Sequence, residues 1–356
     1  MPSLKEIKGR INSISSTLAI TSAMKMVAAA KLQKAQMAIQ NMLPYERRLY
    51  SMLLDLMGAM NISAAASEDG SVRGSGSAER GFDQSGDRLS LSNRQGLAGM
   101  DGAYSLMAQR EVRKVAIVAF ASNSSLCGAF NSNVIREATA VINEYRASGL
   151  GDADITVYSV GRKMAEAMKK LGFPSPADFT KMSDSPSYDA ASALAQELFD
   201  GFVSGRFDKV ELVYNHYKST SSQPTTRQTY LPLSLADATA DIQVGKITDS
   251  ASEPYADKVA EPVVRQNSPT TETPDLIVEP SKEELIATLL PKVVRLRVFT
   301  TLLDSTAAEH AARTVAMQLA TDNGNDLLQE LTLEYNKGRQ QKITSEILDI
   351  VGGSLQ

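Results

Sequence analysis

The chain has 356 residues, of which 43% are hydrophobic and 6% aromatic, and its formal net charge is −4. This length allows two or three domains with a real core, and the small net charge gives no whole-chain argument for nucleic-acid binding. No stretch approaches the roughly 20 apolar residues that cross a bilayer, and the first ten residues lack the apolar core of a signal peptide.

We therefore expect a cytoplasmic protein, or one that is attached to a membrane only through its partners. The single cysteine, Cys127, cannot form an internal disulfide and fits a reducing compartment. The two histidines, His216 and His310, lie far apart in the sequence, which argues against a histidine metal site. We expect no metal and no cofactor.

The first 60 residues predict a long helix with a coiled-coil seam. Apolar residues recur with alternating spacings of four and three, the pattern of such a seam. Eight of the ten seam positions are apolar. The ten positions are Ile7, Ile11, Ile14, Leu18, Thr21, Lys25, Ala28, Leu32, Ala35 and Ile39. Pro44 is expected to kink this helix or to end its first part. The same segment carries eight Lys or Arg against three acids, so it should favour an acidic partner surface.

The middle of the chain, residues 111–235, predicts a small α/β domain that follows a Ser/Gly-rich flexible insert at 61–110. The run at 115–121 (VAIVAFA) is apolar throughout, as expected for a strand buried on both faces. Further strands are predicted at 155–160, 210–214 and 226–233, and helices at 131–146, 162–171 and 188–203. This alternation indicates a parallel or mixed sheet in a Rossmann-like domain.

A second insert, acidic and rich in Ser, Thr and Pro, is predicted at 236–280, and a very long helix at 281–356. Ser281 and Glu284 have the spacing of a capping box, and Pro291 should cause a kink or a restart. The 65 residues from Lys292 contain no proline, and about 60 helical residues would form a rod of about 90 Å. The fold class is therefore α/β, with a long antiparallel coiled coil of the terminal helices and a central Rossmann-like domain.

One short turn could carry chemistry. Residues 124–131 (SSLCGAFN) lie between a buried strand and a helix, and such a turn can bind phosphate on its backbone N–H groups. It lacks both the GxxxxGK[ST] and the GxGxxG patterns, so a packing or capping turn is favoured. No neighbouring histidine would activate Cys127 as a nucleophile, and a structural role is favoured there as well.

Lys25 and the C-terminal segment 335–351 have two interpretations each, whereas His310 has one. Lys25 interrupts the apolar seam, either as a lysine that extends to solvent or as a charge offered to a partner's acids. His310 is expected to be packed, among alanines that let two helices approach closely. The C-terminal segment 335–351 is either a solvated helix end or a tip that turns inside an apolar sleeve.

Three segments resemble the gamma subunit of F-type ATP synthases. They are residues 20–32 (ITSAMKMVAAAKL), residues 126–131 (LCGAFN), and the tail that contains AAR at 311–313, ATDN at 320–323, ELTLEYNK at 330–337, RQ at 339–340, IT at 343–344 and Glu346. The first and third are long and specific, whereas the second is short. The resemblance covers residues 1–60, 112–235 and 275–356, and the two inserts are longer than is usual in the family.

The resemblance implies a central rotor shaft of a proton-translocating F-type ATP synthase, with no chemistry of its own. The coiled coil would turn inside a ring of alternating alpha and beta subunits, and the α/β domain would contact the epsilon subunit and the ring of c subunits. The implied location is the cytoplasmic face of the bacterial inner membrane, where the protein is peripheral. The residues implied to contact the catalytic ring are Met24, Lys25, Arg339, Gln340, Thr344 and Glu346.

Two other classes of function compete with this interpretation. A stand-alone α/β enzyme on residues 112–233 would need a polar cluster, but the segment offers only Cys127, His216 and scattered acids. A generic coiled-coil scaffold would explain the rod but not the matched motifs.

Overall fold

A computed structural model describes residues 3–59, 110–233, 279 and 281–353. Long helices lie at both ends of the chain, and strands and helices alternate between them, as the sequence predicts. The predicted inserts at 61–110 and 236–280 fall almost wholly outside the described residues. The elements are α1 (Leu4–Ala59), β1 (Val115–Phe120), α2 (Phe130–Ala147), β2 (Ile155–Val160), α3 (Arg162–Lys170), α4 (Thr180–Asp184), α5 (Tyr188–Val203), β3 (Lys209–Asn215), β4 (Thr225–Leu231) and α6 (Lys282–Gly353).

The two terminal helices pack side by side and run in opposite directions. Near the start of α1, Leu4 faces Gly338 of α6. Further along α1, Thr21 contacts Thr321. Each step toward the C-terminus of α1 thus meets an earlier part of α6, which makes the pair antiparallel. At 56 and 72 residues the two helices extend far beyond any globular core.

Neither proline ends its helix. The sequence predicts a kink or an end at Pro44 and a kink or restart at Pro291. Helices α1 and α6 both continue through these residues, so the end and the restart are wrong, and a kink stays a prediction. The lost backbone hydrogen bond is offset by packing, because buried side chains follow on the same helix, Leu49 in α1 and Val293 in α6. The start of α6 has half of the predicted capping box, since the Glu284 N–H donates to Ser281 Oγ at 3.1 Å.

The central domain contains a four-stranded mixed sheet in the order β2-β1-β3-β4. The central strand β1 pairs in parallel with β2 and with β3, and β4 is antiparallel to β3. Both faces of β1 are covered, so all six of its residues are buried, which explains its continuous apolar sequence.

The side chains of β1 alternate between two apolar cores. On one face, Val115, Ile117 and Ala119 pack with residues of α2 and α3. On the other face, residues 116, 118 and 120 pack with α5, with the C-terminal part of α1 and with the N-terminal part of α6. The coiled coil is thus joined to the α/β domain through a shared hydrophobic core.

A buried ion network lies between β3, β4 and the C-terminal end of α2. Glu211 of β3 is 1% exposed and lies 2.7 Å from both Lys209 Nζ and Arg227 Nε. The Tyr145 hydroxyl donates to Glu211 at 2.6 Å. Burial alone would raise the pKa of Glu211, but the hydrogen bonds from Arg227, Lys209 and Tyr145 outweigh burial and lower this pKa below its usual value.

Candidate functional site: the coiled coil and its junction with the α/β domain

The seam predicted for α1 is the face that packs on α6. All ten predicted positions are buried or half-buried. Side chains exposed on α1, such as Ile20, Met26 and Val27, lie between the seam positions. The apolar period of the sequence therefore identifies the correct face of the helix.

Small residues hold the two helices close together. Ala307 and Ala311 of α6 are fully buried against Leu32 and Ala35 of α1. Further toward the C-terminus of α6, Gly324 faces Leu18 and has no side chain that would separate the two backbones. The alanines therefore act as the sequence predicts, by bringing the two backbones together and keeping the rod narrow.

The predicted contact residues lie at two levels of the coil and do not form one site. Met24 and Lys25 are half-buried on α1, close to the level at which Thr21 meets Thr321. The other four, Arg339, Gln340, Thr344 and Glu346, are all exposed on α6. Thr321 and Arg339 are separated by about 27 Å of helix at 1.5 Å per residue.

The C-terminal part of α6 extends past α1. Because Leu4 faces Gly338, the following four turns have no described residue of α1 beside them. Their large apolar side chains are exposed, and they are Ile343, Ile347, Leu348, Ile350 and Val351. A run of exposed apolar side chains is typical of a surface that contacts another protein.

The turn after β1 is closed by its own side chains. Asn131 Oδ1 accepts from the Ser122 N–H at 3.0 Å, and Asn131 Nδ2 lies 3.2 Å from Cys127 Sγ. Cys127 is 1% exposed, and Leu126 and Gly128 have positive φ angles of 68° and 59°. These contacts fit the packing turn that the sequence favours over a phosphate site.

Helix α6 covers the carboxyl edge of the sheet, where doubly wound folds bind their ligands. Arg313 Nη2 donates to Ser124 Oγ at 2.7 Å in the turn after β1. Asp304 accepts from the Tyr217 N–H at 2.9 Å and lies 2.6 Å from His216 Nδ1, just after β3. An enzyme active site at this edge would require α6 to move away.

Two neighbouring ionisable residues of α6 lie inside this junction. Burial raises the pKa of Glu309, which is paired with Arg313 at 2.7 Å. Burial lowers the pKa of His310 to about 4, and the positive charges of Arg313 and Lys31 contribute to this shift. His310 is therefore neutral at physiological pH and packed, as the sequence predicts.

Sequence reasoning does not identify Asp304 or Tyr217, although both join the α/β domain to the coil. The available signal is weak: Asp304 is one acid in a run of small and apolar residues, and Tyr217 lies in a polar segment after β3. Among the described residues, no group of three or more His, Cys, Asp or Glu side chains could hold a metal ion. None of the described helices has an apolar segment that could cross a bilayer.

Comparison with known proteins identifies the family. The family model described as ATP synthase matches residues 3–355. The ATP synthase gamma chain of Phocaeicola vulgatus is 48% identical over 355 residues, which cover 100% of both chains. The chain belongs to the ATP synthase gamma-chain family. The gamma chain of Bacteroides fragilis is 44% identical over 355 residues and also covers 100% of both chains.

A solved structure supports the fold. A chain in the Euglena gracilis mitochondrial ATP synthase (OSCP, F1 and c-ring) has a TM-score of 0.52 at 20% identity, covering 99% of this chain and 93% of that one. The family model and the gamma-chain relatives confirm the resemblance seen in the sequence. As a gamma chain, the protein is a non-catalytic rotor subunit in the central stalk of an F-type ATP synthase. Its partners are other subunits of this membrane-associated complex.

Proposed function

We propose that the antiparallel coil of α1 and α6 is the part of the rotor that turns inside a ring of alternating alpha and beta subunits. Proton flow through the ring of c subunits would drive this rotation, with the α/β domain in contact with the c ring and the epsilon subunit. In a bacterial cell, the chain would lie at the cytoplasmic face of the inner membrane and reach the membrane only through these partners.

The observation that carries this proposal is the end of α6 beyond Gly338. Four helical turns continue past α1 with their apolar side chains exposed, which is costly unless another surface covers them. A single narrow helix fits a central bore better than a pair does. The polar residues Arg339, Gln340, Thr344 and Glu346 of the same segment would form hydrogen bonds with loops of the surrounding subunits.

The second level of contact is on α1, at Met24 and Lys25. Lys25 is half-buried at a seam position, so its stem lies along the coil while its ammonium group can reach a neighbouring subunit. An acidic loop of a beta subunit is the natural partner for this charge.

The coil would act on the catalytic sites by shifting their conformational equilibria. Its surface is not symmetric, because α6 and α1 present different side chains and only α6 continues to the tip. Each rotor angle therefore offers different contacts to each beta subunit, and a catalytic site responds by the difference in binding free energy between its conformations. Bond making and breaking belong to the partner subunits.

Cysteine cross-linking tests this placement. Native Cys127 is 1% exposed and should not react, so Gln340→Cys supplies an exposed thiol on the tail. In the whole complex, we expect Gln340→Cys to form disulfides with cysteines introduced in alpha or beta loops and to stop ATP hydrolysis until a reductant is added. Lys170→Cys, on the exposed end of α3, is the matched control and should leave hydrolysis unchanged. Cross-linking by Lys170→Cys but not by Gln340→Cys would contradict the proposal.

A further inference from the structure

The α/β domain contacts α6 along a continuous length of the helix. The shared hydrophobic core covers Ile286 to Leu302, and in it the Tyr230 hydroxyl donates to the Val294 carbonyl at 2.9 Å. Polar contacts follow directly after this core, where the connection between β3 and β4 reaches Asp304 through Tyr217 and the turn after β1 reaches Arg313 through Ser124.

Tyr217 contacts both helices of the coil at the same time. Its N–H donates to Asp304 of α6 at 2.9 Å, and its hydroxyl accepts from Gln36 Nε2 of α1 at 2.6 Å. Its ring is packed against two small clusters, one between α1 and α6 and one around Cys127 and Phe130 of the turn after β1. Through its backbone N–H and its side chain together, one residue thus joins four segments of the chain.

The segment that carries Tyr217 is itself fixed. The His216 N–H donates to the Pro224 carbonyl at 2.9 Å, and Ser219 and Ser222 exchange backbone hydrogen bonds at 3.1 and 3.2 Å. His216 Nδ1 lies 2.6 Å from Asp304, so the carboxylate is held by two neighbouring residues of this connection. A rigid connection can transmit force, whereas a loose one would absorb it.

We propose that Tyr217, together with Asp304, is a positioning residue of the rotor, which fixes the angular position of the α/β domain on the coil. This inference rests on the rotor function. The hydrogen bonds of Tyr217 reach α1 and α6 at the same time, so a rotation of the domain about the coil would break at least one of them. The Tyr217 contact therefore adds to the torsional stiffness with which torque passes between the α/β domain and the shaft.

The test measures torsional stiffness directly. The whole complex is fixed by its catalytic ring, stalled with a non-hydrolysable ATP analogue, and followed by a probe on Lys170→Cys in the α/β domain. The angular variance of the probe is inversely related to stiffness. If the Tyr217 contacts carry half of the stiffness, Tyr217→Ala should increase the variance about twofold. Lys218→Ala, an exposed neighbour in the same connection, should leave it unchanged.

Two milder variants keep the test decisive if Tyr217→Ala does not assemble. Tyr217→Phe keeps the ring and removes the bond to Gln36, and Asp304→Asn keeps the shape and removes the charge. Each should increase the variance, and the double variant should increase it further.

A purely structural role would lower thermal stability or assembly while leaving the variance of assembled complexes at the wild-type value, and this result would overturn the proposal. Failure of the rotor function itself would be distinct, because the wild-type probe would then not rotate on addition of ATP.

Discussion

Gly324 of α6 faces Leu18 of α1 so closely that a Cβ atom at position 324 would lie 2.6 Å from Leu18 Cδ2 and 3.1 Å from its Cγ. A side chain at position 324 would therefore have to displace the Leu18 side chain, whereas the φ angle of Gly324 is not in the left-handed region and demands no glycine. We expect Gly324→Val to push the helices apart and to cost about 1–3 kcal/mol of unfolding free energy, as overpacked interfaces do. Thermal unfolding of the full chain measures this.

Gly9 is the matched control, because it lies within α1 and a Cβ atom there would have no neighbour within 4 Å. Gly9→Ala should stabilise the helix by roughly 0.5–1 kcal/mol through backbone entropy alone. Equal effects at the two positions would show that helix propensity, and not the contact with Leu18, determines the outcome.

The seam and the sheet can be predicted from the sequence because both depend on local periodicity. The spacing of apolar residues in α1 identifies the buried face, and the continuous apolar run of β1 indicates a strand covered on both sides. The prolines were harder to interpret, because the strain at Pro44 and Pro291 is local whereas the packing that offsets it is tertiary. Asp304 could not be assigned, since its partners are 87 and 88 residues away in the sequence.

The buried Glu211 should be essential to the stability of the α/β domain. Glu211→Gln keeps the shape but removes the charge that compensates Lys209 and Arg227, and breaking a buried ion network of this kind costs about 3–5 kcal/mol. Denaturant unfolding of the full chain should show this loss. Glu166→Gln provides the contrast, because its ion pairs are solvent-exposed and should contribute less than about 1 kcal/mol.

His310 should make the stability of the chain depend on pH. Its pKa is lowered to about 4 by burial and by the charges of Arg313 and Lys31, so the unfolded chain binds a proton more readily than the folded chain. Stability should therefore be unaffected above about pH 6.5 and should fall as the pH drops toward 4, by up to about 3 kcal/mol.

The control for this dependence is His310→Phe, which keeps a ring of similar shape and does not titrate. Because His310 Nδ1 has no hydrogen-bond partner within the described part of the chain, the substitution removes no bond at this atom. Unfolding midpoints should then no longer fall between pH 6.5 and 4.5, and Glu309, whose pKa is raised by burial, should if anything add stability as the pH decreases in this range. Any remaining loss below pH 4.5 would come from carboxylates such as Glu211. An unchanged slope in His310→Phe would rule out His310 as the cause.

Met24→Lys should impair the coupling of ATP hydrolysis to proton pumping more than it impairs assembly. The new ammonium group would lie beside Lys25, and a second positive charge should form ion pairs with an acidic beta loop at some rotor angles only. Pumping and hydrolysis measured in the same membrane vesicles give their ratio. Met24→Leu conserves volume and apolar character and serves as the control. A normal ratio in Met24→Lys would contradict the proposed contact.

In the part of α6 beyond Gly338, effects on folding and effects on function can be measured separately. Arg339, Gln340, Thr344 and Glu346 are exposed, and the bonds they make are short-range, since the Thr344 hydroxyl donates to the Gln340 carbonyl at 2.9 Å and Glu346 lies 3.7 Å from Lys342. Replacing all four by alanine should therefore change the unfolding free energy of the full chain by less than about 1 kcal/mol.

In the complex, each lost hydrogen bond to a ring loop should cost about 1 kcal/mol, so the quadruple variant should assemble less well and hydrolyse ATP more slowly. Single variants should show only modest changes in turnover. Normal assembly and turnover in the quadruple variant would show that the apolar side chains of the tail, and not these polar ones, hold the tip of the shaft in place.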